Sequence, residues 1–186
     1  MRIEQVEHKI YTFAELPRDA QETVLDNFRQ DWDRWGWASE WWDSAKAFSR
    51  IAPITIESAD YGRADVEYSW QGVALRYDHD DCIRELSGLR AWKWLNNNGW
   101  FKWAEDNQRG ACTMTGYCGD APFGDGIMAY ADCPAKTPTI EQVFYEAAQC
   151  WVSEARRDYE YAYSDEAIRE DIDANEYEFF ETGELV

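Results

Sequence analysis

The chain has 186 residues, with 37 acidic side chains against 18 basic ones and a formal net charge of −19. Hydrophobic residues make up 45% and aromatics 16%, which excludes a disordered acidic tail, since such tails are poor in aromatics. The charge excludes the basic footprint of a nucleic-acid binder and disfavours anionic membrane surfaces, while it favours partners that are themselves basic.

The length suits one domain with a core that needs no disulfide or metal staple. No apolar run reaches the roughly 18 residues that span a bilayer. Met1 to Phe13 alternates charged and apolar residues and lacks the apolar stretch of a signal peptide. The expected location is therefore cytoplasmic. Five cysteines (Cys82, Cys112, Cys118, Cys133 and Cys150) are an odd count, read as reduced and partly buried thiols.

In chain order, Glu7 to Phe13 reads as a strand. Leu16–Pro17 opens an amphipathic helix carrying Ala20, Val24, Leu25 and Phe28 at helical spacing. Ser39 is the expected N-cap of a second helix with Trp41, Trp42, Ala45 and Phe48 on its apolar face, stopped by Pro53. Ile54 to Glu57, Ala64 to Trp70 and Val73 to Tyr77 read as strands, the last two joined by a turn at Gln71–Gly72. Asp80 or Asp81 caps a helix expected to run to about Asn96, and Trp100 to Asn107 reads as a short helix. Residues 110–138 hold five glycines and three prolines and are expected to be the least regular stretch, with strands at Ala111 to Tyr117 and Ile127 to Ala131. Thr139, with Gln142 three residues on, caps a long helix through Tyr163. Ser164 caps the next, Asp165 to Asn175. Tyr177 to Phe180 and Leu185–Val186 form a terminal hairpin around Thr182–Gly183. The fold class is α+β: one domain, a small antiparallel sheet packed with about five helices.

Enzyme signatures are scarce. There are two histidines, His8 and His79, and neither an H-E-x-x-H helix nor a G-x-S-x-G elbow. Tyr77-Asp78-His79-Asp80-Asp81 offers oxygen and nitrogen donors to a divalent cation, but equally reads as a polar loop with helix-capping aspartates. Cys112, Cys118 and Cys133 lack the close pairing of structural zinc ligands. The stretch Gly119 to Gly126 lacks both phosphate-cradle patterns and reads as a flexible or partner-contacting loop. The expectation is a protein without catalytic residues, metal or cofactor.

Two features point to a protein partner. Tryptophans cluster at 32–42 and 92–103. Trp92 and Trp94 cannot both centre one helical face, so some rings are exposed. Trp35, Trp37, Trp92 and Trp100 are candidate apolar anchors, and the same surface admits a homodimer. The second feature is charge. Residues 154–186 carry 12 acids and 3 bases, nearly half the net charge, interleaved with aromatics in the manner of a folded element with an acidic side. Glu166, Glu170 and Asp173 stand at i, i+4 and i+7 on one helical face, and Asp158, Asp171, Glu176 and Glu178 extend the acidic candidate set. Neighbours on such a face lie roughly 5–6 Å apart, loosely matching the phosphate spacing of about 3.4 Å per strand in duplex DNA.

Ile10-Tyr11-Thr12-Phe13 followed by Glu15-Leu16 and Ala20, the Trp41-Trp42-Asp43 helix, and Asn175-Glu176-Tyr177-Glu178-Phe179 with Gly183 resemble a family of small phage and prophage proteins, loosely described as antitoxin-like. The resemblance covers both ends, about a third of the chain. The family's Gly-rich S-Q-G-D-G segment is only echoed by Ser69-Trp70-Gln71-Gly72. A phage origin implies, by analogy with small acidic phage inhibitors, an anti-CRISPR or anti-restriction protein acting as a DNA mimic on a host nucleic-acid-binding defence complex. An antitoxin-like binder of a small basic toxin is the alternative, and a metal-dependent enzyme using the Asp78–Asp81 cluster the third reading.

Overall fold

Helices dominate the chain, as the spacing of its apolar residues predicts. The computed structural model describes residues 9–30, 36, 38–71 and 80–186. Among the described residues there are eight α-helices: α1 (Arg18–Arg29), α2 (Ala38–Ile51), α3 (Asp80–Arg84), α4 (Gly88–Asn97), α5 (Trp100–Gln108), α6 (Ala121–Met128), α7 (Ile140–Ala162) and α8 (Asp165–Ala174). Four short strands form two antiparallel pairs, β1 (Tyr11–Thr12) with β4 (Glu178–Phe179) and β2 (Ile54–Asp60) with β3 (Asp65–Trp70). The architecture is α+β. Within it the chain forms two compact units, a terminal one from Met1–Gly36 with Tyr159–Val186 and a central one from Trp37–Asp158. Among the described residues no helix is long and apolar enough to cross a membrane.

The terminal unit is built from both chain ends. Ala20, Val24 and Leu25 of α1 meet Ile168 and Ile172 of α8, with Phe13, Leu16 and Phe179 completing the buried cluster and Tyr11, Phe28 and Tyr177 packed at its margin. Each helix buries residues three or four apart, the stripe an amphipathic helix presents to a core. Beyond β4 the chain turns and returns, so that Phe179 bridges Leu185, and the hairpin expected at Tyr177–Val186 is present. Gly183 at its tip has φ +87°, and a Cβ there would lie 2.8 Å from the Ala20 carbonyl oxygen, so only glycine fits without displacement.

The central unit is organised on α7. Ile140, Val143, Phe144, Ala147, Ala148, Trp151, Val152 and Ala155 recur at helical spacing and are fully buried. Against them stack Phe48 on Phe123 (ring centroids 4.0 Å apart) and Phe123 on Trp151 (5.6 Å). The hydroxyl of Thr139 caps the helix by accepting from the Gln142 N–H at 3.2 Å. The Gln142 side chain bonds Glu146 rather than returning to the cap.

Several expectations are corrected. Ser39 is the second residue of α2 and does not cap it. The 80–96 helix is two helices, α3 and α4. The chain breaks at Gly88, whose N–H donates to Thr137 O at 2.7 Å while Leu86 O accepts from Ile140 N, so a distant strap takes the backbone bonds a continuous helix would use. β3 pairs with β2, joined through residues 61–64, with an irregularity in register between Ile56 and Ser58. The expected Val73–Tyr77 strand and the Gly72 turn residue lie outside the described residues, as do Glu7 and His8; of the remainder of the expected Glu7–Phe13 strand only Tyr11–Thr12 is strand, and Phe13 begins a single tight helical turn, Phe13–Glu15. Ala111 to Tyr117 is not a strand, because the buried Asp120 carboxylate gathers its backbone: it accepts from Met114 N and Thr115 N at 2.9 and 2.8 Å, and from the Thr115 and Ser44 hydroxyls at 2.8 Å each. Cys112, at φ +39°, adds a turn that a strand cannot contain. Residues 127–131 end a helix rather than form a strand, and the glycine-rich stretch is mostly α6, buried rather than a partner-contacting loop. Its glycines allow close contact: a Cβ on Gly124 would lie 2.9 Å from Ala104 O of α5, and one on Gly126 would lie 2.5 Å from Ala147 Cα of α7.

Candidate partner-binding surface

The acidic face is assembled on α8 by ordinary helix chemistry. Ser164 caps its start, its hydroxyl accepting from Ala167 N at 3.2 Å. Asp165 and Glu166 then suit the positive end of the helix dipole, and Asp165 pairs with Arg29 of α1. Ile168 and Ile172 face inward. Glu166, Glu170 and Asp173, three or four residues apart, are exposed on the opposite side. The end of α8 is a Schellman motif: Tyr177 N donates to Ile172 O at 3.1 Å and Glu176 N to Asp173 O at 3.3 Å, with Glu176 at φ +52° where glycine is usual.

The surface is acidic and largely unneutralised. Residues 159–186 contain ten carboxylates and one arginine, Arg169. Among the described residues Glu166, Asp173, Glu176, Glu178, Glu181 and Glu184 have no basic partner. Glu170 accepts a 2.8 Å hydrogen bond from the Tyr161 hydroxyl, and that bond pushes the hydroxyl above the ordinary tyrosine range. Asp171 is half-buried and accepts from the Asn175 amide at 2.8 Å. Asp171 and Asp173 sit near the C-terminal end of α8, where the dipole opposes negative charge.

The remaining candidates fall elsewhere. Asp158 belongs to the central unit, is half-buried and accepts from Trp41 Nε1 at 2.9 Å. Trp92 and Trp100 are half-buried in the aromatic packing of that unit. The Trp92 indole N–H donates to Ala131 O at 2.7 Å, and Trp100 sets its ring edge-to-face against Phe144 at 4.6 Å. Trp35 and Trp37 lie outside the described residues, as does the Tyr77–Asp81 cluster apart from the backbone of Asp80 and Asp81. Among the described residues no group of three or more histidine, cysteine, aspartate or glutamate side chains is placed to hold a metal ion.

Two features were not foreseen. One is the Tyr161–Glu170 bond, which crosses a helix junction at a separation of nine residues and leaves no periodic trace. The other is the Arg29–Asp165 pair, which beside Glu22, Leu25 and Asp26 lines a shallow cleft of about 240 Å³. No protein-family model, curated protein or solved structure matches the chain.

Proposed function

We propose that this protein is a non-enzymatic, cytoplasmic inhibitor whose terminal unit presents carboxylates to the site where a partner protein holds nucleic acid. One observation carries the reading: Glu166, Glu170 and Asp173 form an exposed row on one helix, and among the described residues no basic side chain pairs with any of them. A row of like charges costs stability by self-repulsion, and Asp173 also opposes the helix dipole. Neither is required to bury Ile168 and Ile172, and the Arg29–Asp165 pair that also ties α8 to α1 uses none of the three. The lysines and arginines that grip phosphates at a nucleic-acid site are the complement of such a row. The resemblance to small phage proteins narrows the partner to a host defence complex, with a CRISPR effector as the leading target.

The test is capture from host lysate followed by competition. The expected result is recovery of a nucleic-acid-binding effector in fixed stoichiometry, displacement of its nucleic acid by the protein, and loss of both with Glu166→Lys, Glu170→Lys and Asp173→Lys combined. Recovery of a small basic toxin instead would assign the same surface to antitoxin-like neutralisation.

A further inference from the structure

Charge is distributed unevenly over the central unit. Between Glu85 and Glu105 the chain has no acidic residue, while it carries Arg90, Lys93 and Lys102. Among the eight described helices α4, which lies in that stretch, is the one without an acid. At 3.6 residues per turn, Ala91 and Leu95 turn to the core, while Leu89, Arg90, Lys93, Asn96 and Asn97 are exposed. Among the described residues neither Arg90 nor Lys93 has an acidic partner, whereas Lys102 pairs with Asp106. The strap beside α4 is bonded to it through Trp92 Nε1 to Ala131 O and Gly88 N to Thr137 O, both at 2.7 Å. That strap adds one charge of each sign, Asp132 and Lys136, so the positive surplus belongs to α4 itself.

The start of α4 is positive as well. Ser87 stands at the N-cap without a side-chain cap bond. The Gly88 N–H is taken by Thr137 O, but among the described residues the N–H groups of Leu89 and Arg90 have no acceptor. Uncapped amides and the helix dipole together attract a carboxylate to this end.

We propose that this face of α4 docks α8 of a second copy of the chain, with the two helices antiparallel. Charge complementarity selects the occupant. Glu166, Glu170 and Asp173 are exposed, have no basic partner among the described residues, and repeat once per helical turn, as Arg90 and Lys93 do. Run antiparallel, Asp173 reaches the free amides of Leu89 and Arg90, Glu170 meets Arg90, and Glu166 meets Lys93. This direction sets the negative end of α8 against the positive start of α4, and the parallel one would carry Asp173 to the negative end of α4. Each copy bears a net charge of −19, but charges further apart than about 8 Å are largely screened at physiological ionic strength, so the close pairs decide the contact. Nucleic acid is the poorer fit, because a continuous run of phosphates calls for more cations than Arg90 and Lys93 supply. The contact joins two different surfaces, so it is heterologous. It covers the α8 row, and self-association therefore excludes a basic partner from that row. The inference uses the row and does not depend on what else binds there.

The experiment is analytical ultracentrifugation of the full chain at rising concentration, with two charge-reversed variants taken alone and then mixed. One variant is Arg90→Glu with Lys93→Glu; the other is Glu166→Lys, Glu170→Lys and Asp173→Lys combined. The expected result is that the native chain associates as concentration rises and each variant alone stays monomeric. An equimolar mixture is expected to associate again, because the intact α8 of the first variant meets the intact α4 of the second. That recovery also shows that both variants are folded. Ser87→Asp gives the α4 amides a carboxylate of their own chain and is expected to weaken self-association about two- to fivefold. A native chain that stays monomeric at millimolar concentration, a variant that still associates alone, a mixture that does not associate, or an unchanged Ser87→Asp would each overturn the proposal. Binding of oligothymidylate that Arg90→Glu with Lys93→Glu abolishes would assign the face to a polyanion and overturn it too. This contact is judged on the purified chain and nucleic-acid displacement on the captured effector, so the two readings fail separately.

Discussion

Single residues show where this chain departs from the most stable choice. Glu176 occupies the left-handed position of the α8 Schellman motif at φ +52°, which a side chain adopts at a cost and glycine does not. Glu176→Gly is expected to raise stability by about 0.5–1 kcal/mol in urea unfolding. A decrease would mean that the Glu176 side chain makes a stabilising contact. Asp120 is the opposite case. Its carboxylate is fully buried and holds four donors, two of them backbone amides. Asp120→Ala would strand those donors away from water and is expected to cost about 3 kcal/mol or more. A loss below about 1 kcal/mol would show that the 111–120 loop does not depend on the carboxylate. The cap at Ser164 is visible in the sequence because capping is local: hydroxyl, acidic first turn, apolar stripe. The role of Asp120 is not, because Ser44, one of its donors, stands 76 residues away.

At the scale of elements, the helices with a clean apolar stripe (α1, α2, α7 and α8) can be read from spacing alone. What defeats the reading is long-range competition. The break between α3 and α4 exists because the 137–140 strap takes the bonds of Leu86 and Gly88. In α6, glycine and proline look like punctuation, yet Pro122 sits in the first turn, where its missing N–H costs nothing. Gly124 and Gly126 are there because α5 and α7 come within contact of the α6 backbone. Gly126→Ala is therefore expected to destabilise the central unit by about 1–3 kcal/mol through overpacking against Ala147, although alanine is the better helix former. An increase in melting temperature would contradict the close approach. The acidic row on α8 was legible for the same reason as its buried face, since both follow the helical period. Asp173→Lys separates stability from function: it relieves charge at the negative end of the dipole and is expected to stabilise the chain by a few tenths of a kcal/mol while weakening partner binding. Loss of both stability and binding would instead make Asp173 a structural residue.

Across the whole molecule, charge governs the response to solution conditions. Glu141 is held below the usual carboxylate range by its hydrogen bonds to Arg84, against the opposing effect of burial. Its contribution is present above the ordinary carboxyl value of 4.5 and is lost as pH falls through the depressed one. Tyr130 is pushed up to about 12 by burial and by its bond to Glu146. Its contribution is present below pH 10.0 and is lost as pH rises from there towards 12. Melting temperature is thus expected to hold level between about pH 6 and 9 and to fall on both sides. A steady rise through pH 11 would contradict the Tyr130 assignment. At neutral pH the net charge of −19 repels itself, so moderate salt should stabilise the folded chain while it weakens any contact made through α8.

That opposition sets the central claim apart from simple hydrophobic adhesion. The most direct measurement is displacement of nucleic acid from the captured effector by the protein, at two salt concentrations, with the native chain and the triple Glu166→Lys, Glu170→Lys, Asp173→Lys variant. The expected result is competitive displacement that weakens at least about tenfold between roughly 50 and 200 mM salt and disappears in the folded variant. Displacement unchanged by salt and by charge reversal would contradict the account.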